Sequence, residues 1–128
     1  MSSPQIPILL ILSEEDSQLI LRSWSRKSFK TDEYKQRLVF EYLRYITIKI
    51  SFPDEIYSPS LVIDSIWHEH ILFTRQYQSF SYINNNNAFI HHEPFTGSYQ
   101  HYLRTLSKYK EMFNEPPPQV YWPLPRKS

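Results

Sequence analysis

Hydrophobic residues recur at helical spacing along most of the chain, and the first such stretch begins after Ser13. Ser13 can cap a helix, and the three acidic residues that follow it suit the positive end of a helix dipole. Leu19, Ile20 and Trp24 give the stretch an apolar side. The pattern predicts a first helix over about 14–26.

A second helix is predicted to begin at Thr31 or Asp32, because either residue can cap it. It ends before Pro53. Residues 45–50 alternate and are rich in β-branched side chains, so a strand is the alternative there. Helix is favoured, because most apolar positions recur every three or four residues. These positions are Tyr34, Leu38, Phe40, Leu43, Ile46 and Ile50.

The third predicted helix is the central one and carries most of the histidines. Ser58 and Pro59 form a cap and first-turn pair, and the helical pattern runs from about Ser60 into the low eighties. Placing residues at steps of about 100° leaves a single clearly polar side, while apolar residues fill much of the rest. The polar side holds Ser65, Glu69, Gln76 and Ser79.

A fourth helix is predicted from Tyr99 to Phe113, and the proline run 116–118 stops it. The fold class is therefore mainly α: a small helical domain of about four helices, with a long central helix and an extended Pro-rich C-terminal tail. Residues 1–128 are expected to form a single domain with an N-terminal arm at 1–12, a helical core at 13–115 and the tail at 116–128. The apolar run 6–12 is too short to cross a membrane and is interpreted as a buried arm or a strand.

The composition of the chain limits its expected partners and the types of residue that could bind a metal ion. The formal charge is +1, which is not the basic balance of a nucleic-acid-binding domain, so neither a nucleic acid nor a membrane is expected as a partner. The sole glycine, Gly97, leaves no Gly-rich loop for phosphate. The chain has no cysteine, which favours an intracellular and cytoplasmic location and restricts any metal to imidazole and carboxylate ligands.

Four of the five histidines lie in two short blocks, 64–70 and 91–94, and these blocks carry the candidate chemistry. Asp64 and His68 are four residues apart and project from neighbouring positions of the central helix. His68 and His70 are two apart and differ by about 160° around the helix axis, so one metal ion cannot easily take both. His70 is therefore assigned to the core side, against Trp67 and Thr74.

The leading hypothesis is a divalent-metal site formed by Asp64, His68 and one histidine of the second block. Asp64 is either a ligand or a carboxylate that orients the His68 ring. Adjacent side chains of an extended segment point to opposite faces, so one of His91 and His92 is expected at the site, and His92 is favoured. Three such ligands with open positions would suit zinc or iron.

Two alternatives stay open beside the metal site. In the first, the chain is a metal-free structural or protein-interaction module in which the histidines form a buried hydrogen-bond network; a protein partner would bind the Pro-rich tail or an aromatic groove. In the second, the same residues perform acid–base catalysis without a metal. Whether the chain is an enzyme is left open.

Several blocks resemble, in the same order, the family of glycine-rich-domain-containing proteins and their short stand-alone relatives. The specific parts are Asp-x-x-Trp-His-x-His at 64–70 and His-His-x-Pro at 91–94, which make Trp67, His70 and His91 signature residues beside the candidate ligands. The other similar blocks are 41–46, 52–55, 58–60, the remainder of 62–77, 89–90, 116–118 and 122–123.

The chain departs from that pattern in its second half. Ser81 stands where relatives often have cysteine, and the asparagine run 84–87 stands where they often have glycine. The glycine-rich region of the larger plant members is absent, so their roles in development and stress response are not implied. The resemblance implies a fold and a site but no particular activity.

Overall fold

The computed structural model describes residues 10–25, 29–92 and 98–125. Within these ranges the chain is mainly helical, as predicted, with five helices rather than about four. Residues 1–9, which hold most of the predicted N-terminal arm, and residues 126–128 of the predicted tail lie outside the described ranges. The helices are α1 (Glu14–Ser25), α2 (Asp32–Ser51), α3 (Leu61–Leu72), α4 (Thr74–Asn84) and α5 (Tyr99–Phe113).

Side-chain hydroxyls cap four of these helices. The Ser13 hydroxyl accepts a hydrogen bond from the backbone N–H of Asp16 at the start of α1, and Thr31 and Ser98 do the same for α2 and α5. Ser60, rather than the Ser58–Pro59 pair, caps α3. Each cap satisfies a backbone donor that the first turn of a helix leaves without an intrahelical partner.

The predicted long central helix is interrupted at Phe73, and this break separates α3 from α4. The indole N–H of Trp67 donates to the Tyr77 hydroxyl over 2.9 Å. Ten residues of straight helix would separate these two residues by about 15 Å along the axis, so the contact requires the chain to turn back. The sequence gives no local sign of the break, because 70–76 contains neither glycine nor proline.

Helix α3 lies at the centre of the packing, in contact with α1, α2 and α4, while α5 packs on α2. The stretch 45–50, where a strand was the alternative, is helical. The core is rich in aromatic residues, which bury large areas and stack edge to face. Its largest fully buried side chains include Trp67, Trp122, Tyr42, Tyr45, Tyr77 and Tyr109.

The segment after α5 folds back on the helices. A turn forms at Pro118, whose carbonyl accepts from the backbone N–H groups of Tyr121 and Trp122, so this part of the predicted extended tail is a turn. Both aromatic side chains are buried. The Ser60 hydroxyl donates to the Tyr121 carbonyl over 2.6 Å, which fixes the turn at the start of α3.

Glu41 of α2 is a fully buried carboxylate on an otherwise apolar helix face. One of its oxygens accepts hydrogen bonds from Tyr109 (2.7 Å) and Trp122 (2.9 Å), and the other from Arg37 (2.7 Å). Glu41 therefore connects α2 with α5 and the C-terminal turn through charge-assisted hydrogen bonds.

In the part of the chain that the structure describes, no helix combines the length and the apolar character that crossing a membrane demands.

Candidate metal centre

Asp64, His68 and His92 form one cluster whose ligand atoms all lie within 4.8 Å of one another. The Nε2 atom of His92 lies 2.7 Å from Asp64 Oδ1, and the Nε2 atom of His68 lies 3.3 Å from Asp64 Oδ2. The two Nε2 atoms are 3.1 Å apart. The structure thus brings together the three residues that the sequence analysis proposed as ligands.

Two different parts of the chain supply these residues. Asp64 and His68 are one turn apart on α3, whose start is capped by Ser60. His92 follows Ile90, a buried residue whose carbonyl accepts a 2.7 Å hydrogen bond from Tyr77. The contact at Ile90 places the 90–92 segment against the exposed edge of α3.

The His92 ring is also fixed by Trp67. Their ring centroids are 4.2 Å apart with an interplanar angle of 50°. Trp67 is fully buried and donates its N–H to Tyr77, so its own position is held by the core. Trp67 therefore supports the position of the His92 ring from the core side.

The three groups of the cluster can share protons or hold a cation. If each Nε2 carries a proton and donates it to Asp64, two N–H groups face each other across 3.1 Å. If His68 Nε2 is unprotonated, its lone pair can accept from water, because the side chain is 57% exposed, or share the proton that His92 directs at Asp64. A metal ion would take up both nitrogen lone pairs and the carboxylate charge together.

The distances also fit coordination. Two ligand atoms bound at about 2.1 Å, with an angle between about 90° and 110°, are separated by about 3.0 to 3.4 Å. The 3.1 Å and 3.3 Å separations lie in this range, and the 2.7 Å contact of His92 with Asp64 is shorter. The two carboxylate distances belong to different oxygens, Oδ2 towards His68 and Oδ1 towards His92, so binding of one ion would also require a rotation of the Asp64 carboxylate.

The cluster lies at the surface beside a cleft of about 760 Å³. The His68 side chain is 57% exposed, while those of Asp64 and His92 are 32% and 21% exposed. Both histidines line the cleft. Three protein ligands beside an accessible cavity leave coordination positions for water or another ligand, as in catalytic rather than structural zinc sites.

His70 is separated from this cluster and lies in the core. It is fully buried, and its Nδ1 shares a 2.7 Å hydrogen bond with the Tyr42 hydroxyl, while its Nε2 has no hydrogen-bond partner among the residues that the structure describes. Its ring packs on Tyr77 and Phe80, whereas Thr74, one of the two residues against which it was expected, is exposed. Burial lowers the pKa of His70 to about 3, so the imidazole is neutral at pH 7.

His91 lies outside the ligand cluster. Its side chain is exposed and its ring packs against Phe89 at a centroid distance of 5.0 Å. His91 and His92 therefore have different surroundings, in keeping with the alternation of side chains along an extended segment.

Glu69 was expected on the polar side of the central helix, and that expectation is wrong. Helix α1 covers this side, so Glu69 is buried and accepts a hydrogen bond from the Ser23 hydroxyl. Glu69 lines the cleft together with Trp24 of α1. The apolar side of α1 was visible in the sequence, but nothing local indicated which face of α3 it would cover.

A second groove of about 520 Å³ lies between the start of α3, α5 and the C-terminal segment. It is lined by Tyr99 and Tyr102 and by the exposed apolar side chains of Leu61, Val120 and Leu124. The groove contains the surface for which the sequence suggested a protein partner. It lies apart from the histidine cluster, since the two cavities share no lining residue.

The fold and the site together define a small helical protein with a two-histidine, one-carboxylate cluster at its surface. The chain belongs to the UCP032817-like family, whose model matches residues 13–106. The match includes α1 to α4 and all three residues of the cluster. A search of curated proteins and a search of solved structures each found no match.

The family match corrects the resemblance to glycine-rich-domain-containing proteins. That assignment is wrong, because the family model that matches is the UCP032817-like one. The short histidine blocks that suggested it therefore do not identify the family. The candidate site consequently stands on its own geometry and not on an inherited signature.

Proposed function

We propose that the chain binds a divalent metal ion through Asp64, His68 and His92. The observation that carries the proposal is the close approach of both Nε2 atoms and the Asp64 carboxylate, whose ligand atoms lie within 4.8 Å of one another beside an open cleft. Imidazole and carboxylate are the ligands that remain to a chain without cysteine. A cytoplasmic location, expected from the same composition, is part of this proposal.

Zinc and ferrous iron are the two metals that suit this ligand set. Two imidazoles and one carboxylate hold zinc in several hydrolytic enzymes, with water in the fourth position. The same set on one face of the metal is typical of non-haem ferrous iron sites, which keep further positions open. In both kinds of site the metal is accessible and lies next to a cavity. The exposure of His68 supports such an arrangement.

The alternative of a buried hydrogen-bond network fits His70 better than it fits the cluster. The partner of His70 is a buried tyrosine, and its ring is enclosed by aromatic side chains. His68, by contrast, is more than half exposed, so water could satisfy it at little cost. Structural stability therefore gives only a weak reason for His68 to face Asp64, that of an exposed pair four residues apart on a helix.

Elemental analysis of protein purified without chelators tests the proposal. We expect close to one zinc or iron per chain in the wild type and loss of that metal in His68→Ala. The matched control is His91→Ala, which removes a neighbouring exposed histidine outside the cluster and should retain the metal. Absence of bound metal in the wild type, together with no binding of added zinc or ferrous iron, would overturn the proposal.

A further inference from the structure

The cleft beside the cluster has an apolar wall on its α1 and α3 side. Trp24, Ile71 and Leu72 line it, and the Leu72 side chain is 69% exposed. The polar atoms of this wall are already paired within the protein. The Trp24 N–H donates to the Ser65 hydroxyl over 2.9 Å, and that hydroxyl donates to the Val62 carbonyl over 2.6 Å.

His68 and His92 also line the cleft. A divalent ion held there with Asp64 retains one net positive charge, because the carboxylate supplies one negative charge and the imidazoles none. The charges therefore match a monoanion better than a dianion such as phosphate.

We infer that this cleft binds a small monocarboxylate with an apolar body. The carboxylate would complete the coordination of the metal at His68 and His92, and the body would lie against Trp24, Ile71 and Leu72. A volume of about 760 Å³ is within the range of sites that bind small organic molecules. The inference rests on the proposed metal site and adds the class of ligand to it.

Phenylacetate is the probe, and cobalt(II) bound in place of the native metal gives the signal. Titration should change the visible spectrum of the cobalt protein and yield a saturable binding curve. Acetate lacks the apolar body and 2-phenylethanol lacks the carboxylate, so each should bind at least about tenfold more weakly than phenylacetate.

Leu72→Ala tests the wall without touching the metal ligands. It should retain cobalt and weaken phenylacetate binding by about fivefold, since apolar contact with the ligand is lost. Leu61→Ala is the matched control, because Leu61 is 91% exposed on the same helix and does not line this cleft. It should bind phenylacetate as the wild type does.

The possible failures are distinguishable. If cobalt fails to bind, the proposed metal site is wrong and the inference falls with it. If cobalt binds but phenylacetate leaves the spectrum unchanged, or acetate binds as tightly as phenylacetate, the inference alone is overturned. Equal affinity of wild type and Leu72→Ala would likewise overturn it.

Discussion

Trp67 and Tyr77 are ten residues apart in sequence, yet the Trp67 N–H donates to the Tyr77 hydroxyl over 2.9 Å. The same hydroxyl donates to the carbonyl of Ile90 over 2.7 Å. This pair of hydrogen bonds links α3, α4 and the segment that carries His92. Tyr77 is nearly fully buried, so the Trp67 N–H and the Ile90 carbonyl cannot bind water in place of its hydroxyl unless the structure opens locally.

Tyr77→Phe should therefore weaken both the fold and the candidate metal site. Loss of the hydroxyl leaves the Trp67 N–H and the Ile90 carbonyl unpaired in the core, and each such group costs about 1–3 kcal/mol. Urea denaturation should show a loss of about 2 kcal/mol or more in the free energy of unfolding. Metal affinity should fall as well, because the position of His92 depends on Ile90.

Tyr82→Phe provides the matched control. Tyr82 is on the same helix but is 40% exposed, and its hydroxyl has a weak 3.5 Å contact with Gln78. Its removal should change the free energy of unfolding by less than about 0.5 kcal/mol. Equal stability of the Tyr77→Phe and Tyr82→Phe variants would contradict the proposed role of the Tyr77 hydroxyl.

The helices of this fold were largely predictable because their signals are local. Acidic first turns, capping hydroxyls and apolar spacing lie within a few residues of the ends that they define, and α5 has the predicted limits of Tyr99 and Phe113. The break at Phe73 was not predictable. It is stabilised by contacts of Trp67 and His70 with residues of α4, which exist only after the chain has turned back.

The same distinction applies to the candidate site. Asp64 and His68 share a helix face by their spacing alone, and alternation along the chain restricted their partner to one of His91 and His92. The burial of Glu69 depends on where α1 packs, and this is information that α3 does not carry. Glu41 is a similar case, since a charged residue in a helix is normally assigned to solvent.

Asp64→Asn should remove the negative charge of the cluster while leaving its shape nearly unchanged. The amide keeps one oxygen and nearly the same volume, but the site loses the negative charge that draws a divalent ion to the two imidazoles. We expect at least about tenfold weaker binding of zinc, with an unchanged fold by circular dichroism. Zinc titration of the apo protein against a competing chelator measures the affinity. An unchanged affinity would exclude Asp64 as a ligand.

Glu41 should be among the most sensitive positions for stability. Glu41→Ala leaves the Tyr109 hydroxyl and the Trp122 N–H without their buried acceptor, and each such group costs about 1–3 kcal/mol, while the half-exposed Arg37 can bind water instead. Glu41→Gln retains one acceptor oxygen and should cost less. The exposed Glu33 on the same helix is the control, and its replacement by alanine should change the free energy of unfolding by less than about 0.5 kcal/mol.

If Glu41→Ala proved as stable as Glu33→Ala in urea denaturation, the hydrogen bonds of the Glu41 carboxylate would have no net stabilising effect. An intermediate value for Glu41→Gln would separate the contribution of the charge from that of the acceptor. Tryptophan fluorescence is a suitable second signal. The Trp122 N–H donates to Glu41, so the C-terminal turn should loosen when that hydrogen bond is lost.

His70 should make the protein sensitive to acid even with the metal removed. Its pKa is about 3 in the folded state, because burial disfavours the imidazolium, and about 6.5 in the unfolded chain. Between these values the unfolded chain binds a proton that the folded protein does not. The free energy of unfolding therefore falls as pH drops from about 6.5 towards 3, by up to about 1.4 kcal/mol per pH unit.

Denaturation in urea and EDTA at a series of pH values measures this slope. His70→Phe removes the titrating group and should flatten the slope by about one proton below pH 6.5, while leaving the Tyr42 hydroxyl without its partner and so costing about 1–3 kcal/mol at pH 7. His91→Ala, which removes an exposed histidine, should keep the wild-type slope. A wild-type slope retained in His70→Phe would show that another group controls the acid sensitivity.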